Sequence, residues 1–339
     1  MTERENALEA FLARSGWDRA AREMLAGDAS NRRYLRLKLD GEPAVLMDAP
    51  PSRGEDVRPF IKIADHLASV GLSPPRIFAR DETQGFLLLE DLGDALFSTV
   101  VARDSTEELP LYRAATDTLI ALHAQATPDA PDYGAETMAE LAGLAGEWYA
   151  FGASGRRDDD AAKALKDAMR GALFALTDWS PVLVLRDYHA ENLLWLPDRS
   201  GAARVGLLDF QDAGLGHPAY DLMSLARDAR RDVSPATRDA MIAHYIAGTG
   251  QNEDAFRLAC ATVSAQRNLR ILGVFARLSL HFGKAHYVDL IPRVWRNLQD
   301  DLAHPGLDPL AEVVARTLPE PSDATLATLK EKCGTIPKL

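Results

Sequence analysis

Two aspartates and an asparagine form the part of this sequence with the clearest capacity for chemistry. Asp187 and Asn192 lie five positions apart in a polar segment, and Asp209 follows the next pair of apolar runs. Phosphoryl transfer needs a carboxylate that accepts the proton of the attacking hydroxyl, and oxygen ligands that hold Mg²⁺ against the phosphates. Taken singly, such residues also occur in turns and at strand ends. Their combination favours a site for metal-bound phosphate.

The surrounding stretch, residues 182–221, indicates how these side chains are positioned. It contains an apolar strand, the loop R-D-Y-H-A-E-N, a second apolar run, a turn at 198–201, and a third strand ending in L-L-D-F. The order D-x-x-x-x-N followed by a strand-borne D-F is typical of the catalytic and metal-binding loops of kinases. One departure is that Gln211 follows Phe210 where a protein kinase has glycine.

The residues before this stretch predict a small β-rich region and then a mainly helical one. Leu35, Leu37 and Leu39 alternate with polar residues, as expected for a half-buried strand. Five strands and one intervening helix are predicted up to residue 90, after a short amphipathic helix within 1–16. Further helices are predicted at 106–125, 137–149, 159–176, 220–229, 236–248, 255–280 and 287–302. We therefore expect an α+β fold with two domains, 1–92 and 93–339.

Composition restricts the class of partner. The chain has 38 basic and 50 acidic residues, for a net charge of −12, which argues against nucleic acid or an anionic membrane as the main partner. No apolar run reaches the length of a membrane span, and the charged N-terminus does not resemble a signal peptide. A cytoplasmic location is expected. Cys260 and Cys333 lack metal-ligand or redox spacing, so we expect them to be structural.

The region around the loop resembles the aminoglycoside phosphotransferase and choline kinase superfamily. The loop motif H-G-D-x-H-x-x-N of that superfamily corresponds to L-R-D-Y-H-A-E-N at 185–192, and its run I-D…G-x-P-x-x-D-L corresponds to residues 208–222. The resemblance implies a protein-kinase-like two-lobed fold, with a small β-rich N-lobe, a larger mainly helical C-lobe, and ATP and Mg²⁺ as cofactors.

The same resemblance assigns roles within the loop. It implies that Asp187 is the catalytic base, and that Asn192 and Asp209 are the Mg²⁺ ligands. His189 is expected to brace the loop, and Asp221 to hold the loop backbone without touching substrate.

Other blocks resemble the bacterial kinases of that superfamily that recycle cell-wall sugars. These blocks are G-D-A-S-N-R-R-Y at 27–34, V-L-M-D-A-P-P at 45–51, G-F-L-L-L-E-D-L-G at 85–93, and Q-R-N-L-R-I-L-G-V-F-A-R at 266–277. The resemblance implies phosphorylation of the anomeric hydroxyl of N-acetylmuramate or N-acetylglucosamine in peptidoglycan recycling.

The nucleotide side departs from the usual kinase pattern. The lysine of the third strand falls near Met47, and the glutamate of the helix falls near Phe60, so both ionic partners are absent. Ser30 and the backbone amides of its loop are candidates for phosphate contact. Arg33 is the main candidate for the missing cation, with Arg32 as the alternative and Arg53 as a further one.

The segment E-D-L-G at 90–93 lies where kinases bind adenine through main-chain groups. Glu90 and Leu92 are therefore candidate nucleotide-binding residues, and their side-chain identity carries little information.

A polar stripe on a predicted helix over 262–280 is the candidate substrate surface. Gln266, Arg270 and Arg277 fall within a sector of about 40° at about 100° per residue. Salt bridges to acidic neighbours would also explain the stripe. A cationic pocket favours a neutral or anionic amino sugar as the small-molecule partner. Another alcohol (an aminoglycoside, choline or homoserine) and a nucleotide-binding pseudokinase remain the alternatives, and the sequence leaves the preferred sugar open.

Overall fold

A computed structural model describes residues 2–25, 31–177 and 179–337. The strands are β1 Ala21–Met24, β2 Arg33–Leu39, β3 Glu42–Asp48, β4 Ile77–Asp81, β5 Phe86–Glu90, β6 Val182–Val184, β7 Leu193–Trp195, β8 Val205–Leu207 and β9 Gly214–Gly216. The helices are α1 Glu3–Arg14, α2 Arg58–Ser69, α3 Phe97–Arg103, α4 Glu108–His123, α5 Ala135–Ala142, α6 Phe151–Ser154, α7 Asp159–Phe174, α8 Ala219–Ala226, α9 Pro235–Thr249, α10 Glu253–Leu280, α11 Ile291–Leu302, α12 Asp308–Thr317 and α13 Asp323–Glu331, with a π-helical segment at Ala145–Ala150.

The chain divides into two compact units. The first, which we call the sheet unit, comprises Met1–Gln125 and Ala190–Ala213. The second, the helical unit, comprises Ala126–His189 and Gly214–Leu339. The predicted domains 1–92 and 93–339 stay a prediction, and each compact unit is described by itself below.

The sheet unit is built on an antiparallel sheet. Among the described residues its strands follow the order β1-β2-β3-β5-β4, with α2 between β3 and β4 along the chain. The prediction of five strands and one intervening helix is therefore confirmed. Leu37 and Leu46 lie on the sheet face that packs against Phe11 and Leu12 of α1. Apolar residues at every second strand position produce this buried face.

A short hairpin of β7 and β8 also belongs to the sheet unit. Its register pairs Leu193 with Leu207. The ring of Phe210, just beyond β8, stacks on that of Phe60 in α2 with 4.8 Å between centroids. Both rings are buried, so α2 is packed directly against the segment that carries Asp209.

The helical unit is organised around α10, which has 28 residues and is buried along much of its length. The side chain of Asn252 caps its first turn by accepting a hydrogen bond from Ala255 N. A Cβ at Gly273 would lie 2.3 Å from the backbone of Leu144, so glycine permits this close approach. β6 and β9 pair antiparallel, and α8 follows β9 along the chain.

Two negative observations complete the fold. Over residues 2–25, 31–177 and 179–337, no helix has both the length and the apolar character needed to cross a membrane. Cys260 and Cys333 are both free thiols, and Cys260 is buried.

Candidate functional site

The segment after β6 is fixed by a buried carboxylate from α8. Leu185 N donates to Asp221 Oδ2 at 2.5 Å, and Arg186 N donates to Asp221 Oδ1 at 2.9 Å. Arg186 has φ +71°, a left-handed conformation that is costly for a residue with a Cβ. Asp187 follows directly, and its N–H donates to Leu185 O at 2.9 Å. The expectation that Asp221 holds the loop backbone is confirmed.

Burial affects the protonation of Asp221, and a second residue, Arg267, also binds the loop. Burial raises the pKa of Asp221 to about 6, although the backbone hydrogen bonds from Leu185 and Arg186 act in the opposite direction. Arg267 of α10 donates to Arg186 O at 3.3 Å and to Ser224 Oγ at 2.6 Å. Helices α8 and α10 therefore both contribute to the position of the loop.

His189 is the last residue of the loop within the helical unit. Its side chain is buried, and burial, followed by the charges of Arg230 and Arg267, lowers its pKa to about 3. The imidazole is therefore neutral near pH 7. The predicted bracing role of His189 stays a prediction.

The two candidate metal ligands meet on the β7–β8 hairpin of the sheet unit. Leu208 N donates to Asn192 O at 3.0 Å, which makes these residues neighbours across the ladder. Asp209 is the next residue, and it has φ +57°. Its Oδ1 accepts a hydrogen bond from Gln211 Nε2 at 2.8 Å. The hairpin thus brings Asn192 and Asp209 to the same end of one element.

This donor set suits Mg²⁺. An amide oxygen and a carboxylate are hard ligands, and Mg²⁺ bound with a nucleotide usually takes one or two protein ligands together with phosphates and waters. The described residues contain no group of three or more His, Cys, Asp or Glu side chains that could hold a metal by themselves. A metal held by Asn192 and Asp209 would therefore share its coordination with phosphate oxygens.

In the helical unit, Arg270 lies beside Asp187 in a cluster of aromatic hydroxyls. Its Nη1 is 3.5 Å from Tyr220 Oη, and Tyr220 Oη is 3.0 Å from Tyr133 Oη. Burial lowers the pKa of Arg270, but the nearby Tyr220, Tyr133 and Asp187 outweigh it, so the net shift is upward. A half-buried cation near the candidate base is available for an anionic or hydroxyl-rich ligand.

The other two members of the stripe lie in different surroundings. Gln266 is 0% exposed, and its Nε2 donates to Met138 O at 2.7 Å. Arg277 is half-buried, and its Nε has no hydrogen-bond partner among the described residues. Gln266 therefore has a packing role between α10 and α5, and the predicted substrate contacts of Gln266 and Arg277 stay predictions.

Of the phosphate-side candidates, Ser30 lies outside the described residues. Arg33 is engaged with Asp48, whose Oδ2 accepts from Arg33 Nε at 3.0 Å. Arg4 of α1 donates from Nε to Asp48 Oδ1, also at 3.0 Å. Asp48 is 1% exposed, so two arginines together neutralise one buried carboxylate. The predicted phosphate contact of Arg33 stays a prediction.

The adenine-side candidates differ in what their groups already bind. The Glu90 carboxylate accepts from Arg199 Nη2 at 2.8 Å and from Arg76 N at 3.2 Å. Leu92 has no main-chain hydrogen bond among the described residues. The Leu92 N–H and C=O therefore remain available to bind a ligand, whereas the Glu90 side chain is engaged with Arg199 and Arg76.

Two residues of this region escaped the sequence prediction. Tyr133 was placed in a loop, yet its N–H donates to Leu215 O at 2.8 Å, and Asp132 bridges to the same residue. Tyr220 is 0% exposed beneath the Arg267 guanidinium, which lies 4.6 Å from its ring centroid. The signal that could have found Tyr220 is its position one residue before Asp221.

Comparisons with known proteins agree with this architecture. The model of the phosphotransferase enzyme family matches residues 22–258. The N-acetylmuramate/N-acetylglucosamine kinase of Caulobacter vibrioides is 39% identical, over 94% of this chain and 98% of its own length.

Two solved structures show the fold. A choline/ethanolamine kinase family protein from Mesorhizobium loti has a TM-score of 0.60 at 14% identity, over 97% of this chain and 99% of that one. The GDP complex of aminoglycoside 2′-phosphotransferase-IIIa has a TM-score of 0.59 at 15% identity, over 89% and 99% of the two chains. These similarities confirm the predicted protein-kinase-like α+β fold.

Proposed function

The chain belongs to the phosphotransferase enzyme family, and from that premise we propose that it phosphorylates the anomeric hydroxyl of N-acetylmuramate or N-acetylglucosamine with ATP. The observation that carries this proposal is the similarity to the Caulobacter kinase along nearly the full length of both chains. Because ATP is the donor, the proposal locates the reaction in the cytoplasm, where it would serve peptidoglycan recycling.

The proposed reaction gives distinct roles to Asp187, Asn192 and Asp209. The anomeric oxygen attacks the γ-phosphorus, the bond from that phosphorus to ADP breaks, and the hydroxyl proton passes to the carboxylate of Asp187. An anomeric hydroxyl is more acidic than an ordinary alcohol, so a positioned carboxylate is an adequate acceptor. Asn192 and Asp209 would hold Mg²⁺, which would offset the negative charge of the phosphates.

Arg270 is the residue we assign to the sugar. Its cationic group lies near Asp187, and it forms no salt bridge with a carboxylate of the described residues. The lactyl carboxylate of N-acetylmuramate would supply that partner through a charge-assisted hydrogen bond. A polycationic aminoglycoside would instead be repelled there. Gln266 and Arg277 stand further along the same stripe as candidates for the remaining sugar groups.

On the nucleotide side, the free main-chain groups of Leu92 support adenine binding, with the Glu90 main chain as the neighbouring partner. Ser30 and the backbone of its loop remain candidates for the phosphates. Nucleotide binding of this kind agrees with the GDP complex of the structural neighbour.

The direct test is to incubate the purified protein with ATP, Mg²⁺ and each of the two sugars, and to detect sugar 1-phosphate by ³¹P NMR together with ADP release. The expected result is phosphorylation at the anomeric position. Absence of turnover on both sugars, alongside turnover of an aminoglycoside, choline or homoserine, would refute the substrate assignment but not the reaction class. ATP binding without turnover of any acceptor would favour a pseudokinase.

Arg270→Ala sharpens this test. We expect the KM for N-acetylmuramate to rise roughly 10- to 100-fold, as for a lost charged hydrogen bond, with a smaller effect on N-acetylglucosamine, which has no lactyl carboxylate. Arg257→Ala is the matched control, because Arg257 lies on the same helix but pairs with Glu253 at an exposed position. Equal effects of Arg270→Ala on both sugars would contradict the proposed carboxylate contact.

A further inference from the structure

A shielded ion pair in the sheet unit involves Arg32, the alternative candidate for the missing cation. Arg32 Nε donates to Glu55 Oε2 at 2.8 Å, and the two side chains are only 13% and 12% exposed. The other oxygen, Glu55 Oε1, accepts from Asn31 N at 3.2 Å. Removing two ions from water is costly, and the attraction between them often does no more than offset that cost. A pair of this kind therefore suggests a purpose other than stability.

The location of Arg32 relative to the sheet suggests that purpose. Arg32 lies one residue before β2, and its side chain hydrogen-bonds to that of Tyr34, the second residue of the strand. Tyr34 is the direct partner of Met47 in the β2–β3 register. Met47 occupies the position at which the sequence comparison placed the missing kinase lysine.

Glu55 lies in the segment that leads into helix α2. It precedes α2, which begins at Arg58 and carries Phe60, where the missing glutamate was placed. The Arg32–Glu55 pair thus connects the residue before β2 to the segment before α2.

Arg33 cannot fill the same place, although it is adjacent in sequence. Arg33 is the first residue of β2 and points to the face opposite Tyr34, where it binds Asp48 together with Arg4 of α1. Its contacts join α1 to β3.

We propose that Arg32, oriented by Glu55, is the residue that contacts the phosphates of the nucleotide, in place of the absent lysine. A guanidinium has five N–H donors, so it can donate to Glu55 and Tyr34 and also to phosphate oxygens. Burial lowers the pKa of Arg32, but hydrogen bonds to Glu55 and Tyr34 outweigh it, so the group remains cationic. The inference rests on the proposed function only in taking a nucleoside triphosphate as the donor.

The test measures phosphate-dependent binding instead of turnover. Isothermal titration calorimetry with adenosine, ADP and ATP separates base contacts from phosphate contacts. For Arg32→Ala we expect affinity for ADP and ATP to fall roughly 10- to 100-fold, as for one charged hydrogen bond, with adenosine affinity within about twofold of the wild type. Arg32→Lys keeps the charge and should recover part of the loss.

Two further variants control for folding. Glu55→Gln keeps an acceptor but removes its charge, and we expect a smaller loss with the same dependence on phosphate. Arg22→Ala removes an arginine of the same sheet that pairs with Glu9 at the surface, and it should leave all three affinities unchanged. Circular dichroism and thermal unfolding verify that each variant is folded.

The outcomes separate this inference from the proposed function. Unchanged ATP affinity in folded Arg32→Ala would overturn the inference, as would equal losses for adenosine and ATP, or a phosphate-dependent loss in Arg33→Ala alone. A wild-type protein that phosphorylates neither sugar but loses phosphate affinity with Arg32→Ala would support the inference while refuting the proposed substrate.

Discussion

Asp221→Asn separates the positioning of the loop from the stability of the fold. Both oxygens of Asp221 accept backbone N–H groups, from Leu185 and Arg186, in a fully buried site. Asparagine keeps one acceptor and turns an NH₂ group toward the other N–H. Losing a hydrogen bond to a charged acceptor costs about 1.5–3 kcal/mol.

An opposing effect comes from removing the charge. Burial raises the pKa of Asp221 from 3.8 to about 6, so the ionised carboxylate is disfavoured in the folded state by about 3 kcal/mol. This raised folded pKa means that wild-type stability falls as pH rises from about 4 to about 6. The two effects of Asp221→Asn nearly cancel above pH 7, where we expect a change in unfolding free energy within about 1.5 kcal/mol.

Catalysis should respond far more strongly than stability. Without one of its two anchors, Arg186 can leave its left-handed conformation, and Asp187 moves with it. A displacement of about 1 Å in a reacting group costs about 100-fold in rate, so kcat should fall by about that factor. Urea unfolding followed by tryptophan fluorescence, and kcat for the sugar, measure the two quantities.

Asp301→Asn is the matched control for this experiment. Asp301 is also buried, and it accepts from Asn268 Nδ2 at 2.9 Å without touching the loop. It should alter stability and leave kcat unchanged. If Asp221→Asn retained kcat within about threefold of the wild type, the proposed positioning of Asp187 by Asp221 would be refuted.

Three other expectations follow from the described contacts. Asp187→Asn should abolish phosphoryl transfer while ATP affinity, measured by calorimetry, stays near the wild-type value; retained turnover would exclude Asp187 as the base. His189 and His217 have pKa values lowered by burial to about 3 and about 4, from 6.5, so their contribution to stability is complete above pH 6.5 and is lost as pH falls toward those values. Buried carboxyls such as Asp221, with a raised pKa, act in the opposite direction, so the test is a comparison: from pH 7 to pH 5 the urea midpoint of His217→Phe should rise relative to that of the wild type. Gly85→Ala should lower the unfolding free energy by about 2 kcal/mol or more, because φ is +71° and the new Cβ would lie 2.0 Å from a backbone oxygen; Gly171→Ala, which meets nothing within 4 Å, is its control, and equal melting temperatures would contradict the steric argument.

Much of the sheet unit could be predicted because its signals are local. Alternating leucines in β2 and the turn at Asp40 and Gly41 determine the strand faces and the hairpin, and the structure has both. The proposed catalytic segment was equally accessible, since residues 185–209 form one continuous motif. Helix α12 was not predicted, although Leu310 and Val314 are buried at helical spacing.

The remaining features depend on contacts between distant parts of the chain. Helical periodicity placed Gln266 on a polar stripe, but it could not reveal that Met138 O covers its amide. Tyr133 lies in a segment without strand periodicity, and its position follows from pairing with Leu215, more than eighty residues later. The ion pair of Arg32 joins residues that are likewise remote in sequence, so no local pattern marks it.

The left-handed backbone at Arg186 and Asp209 has a consequence for engineering. Among the described non-glycine residues, only Asp40 shares this conformation, and it lies in a turn. Glycine would relieve the strain of about 1 kcal/mol at either position. A selection for heat resistance alone would therefore favour glycine beside the proposed base Asp187 and in place of the proposed metal ligand Asp209, and we expect the selected variants to be more stable and to have lost turnover. Thermostability screens on this scaffold need a simultaneous selection for turnover.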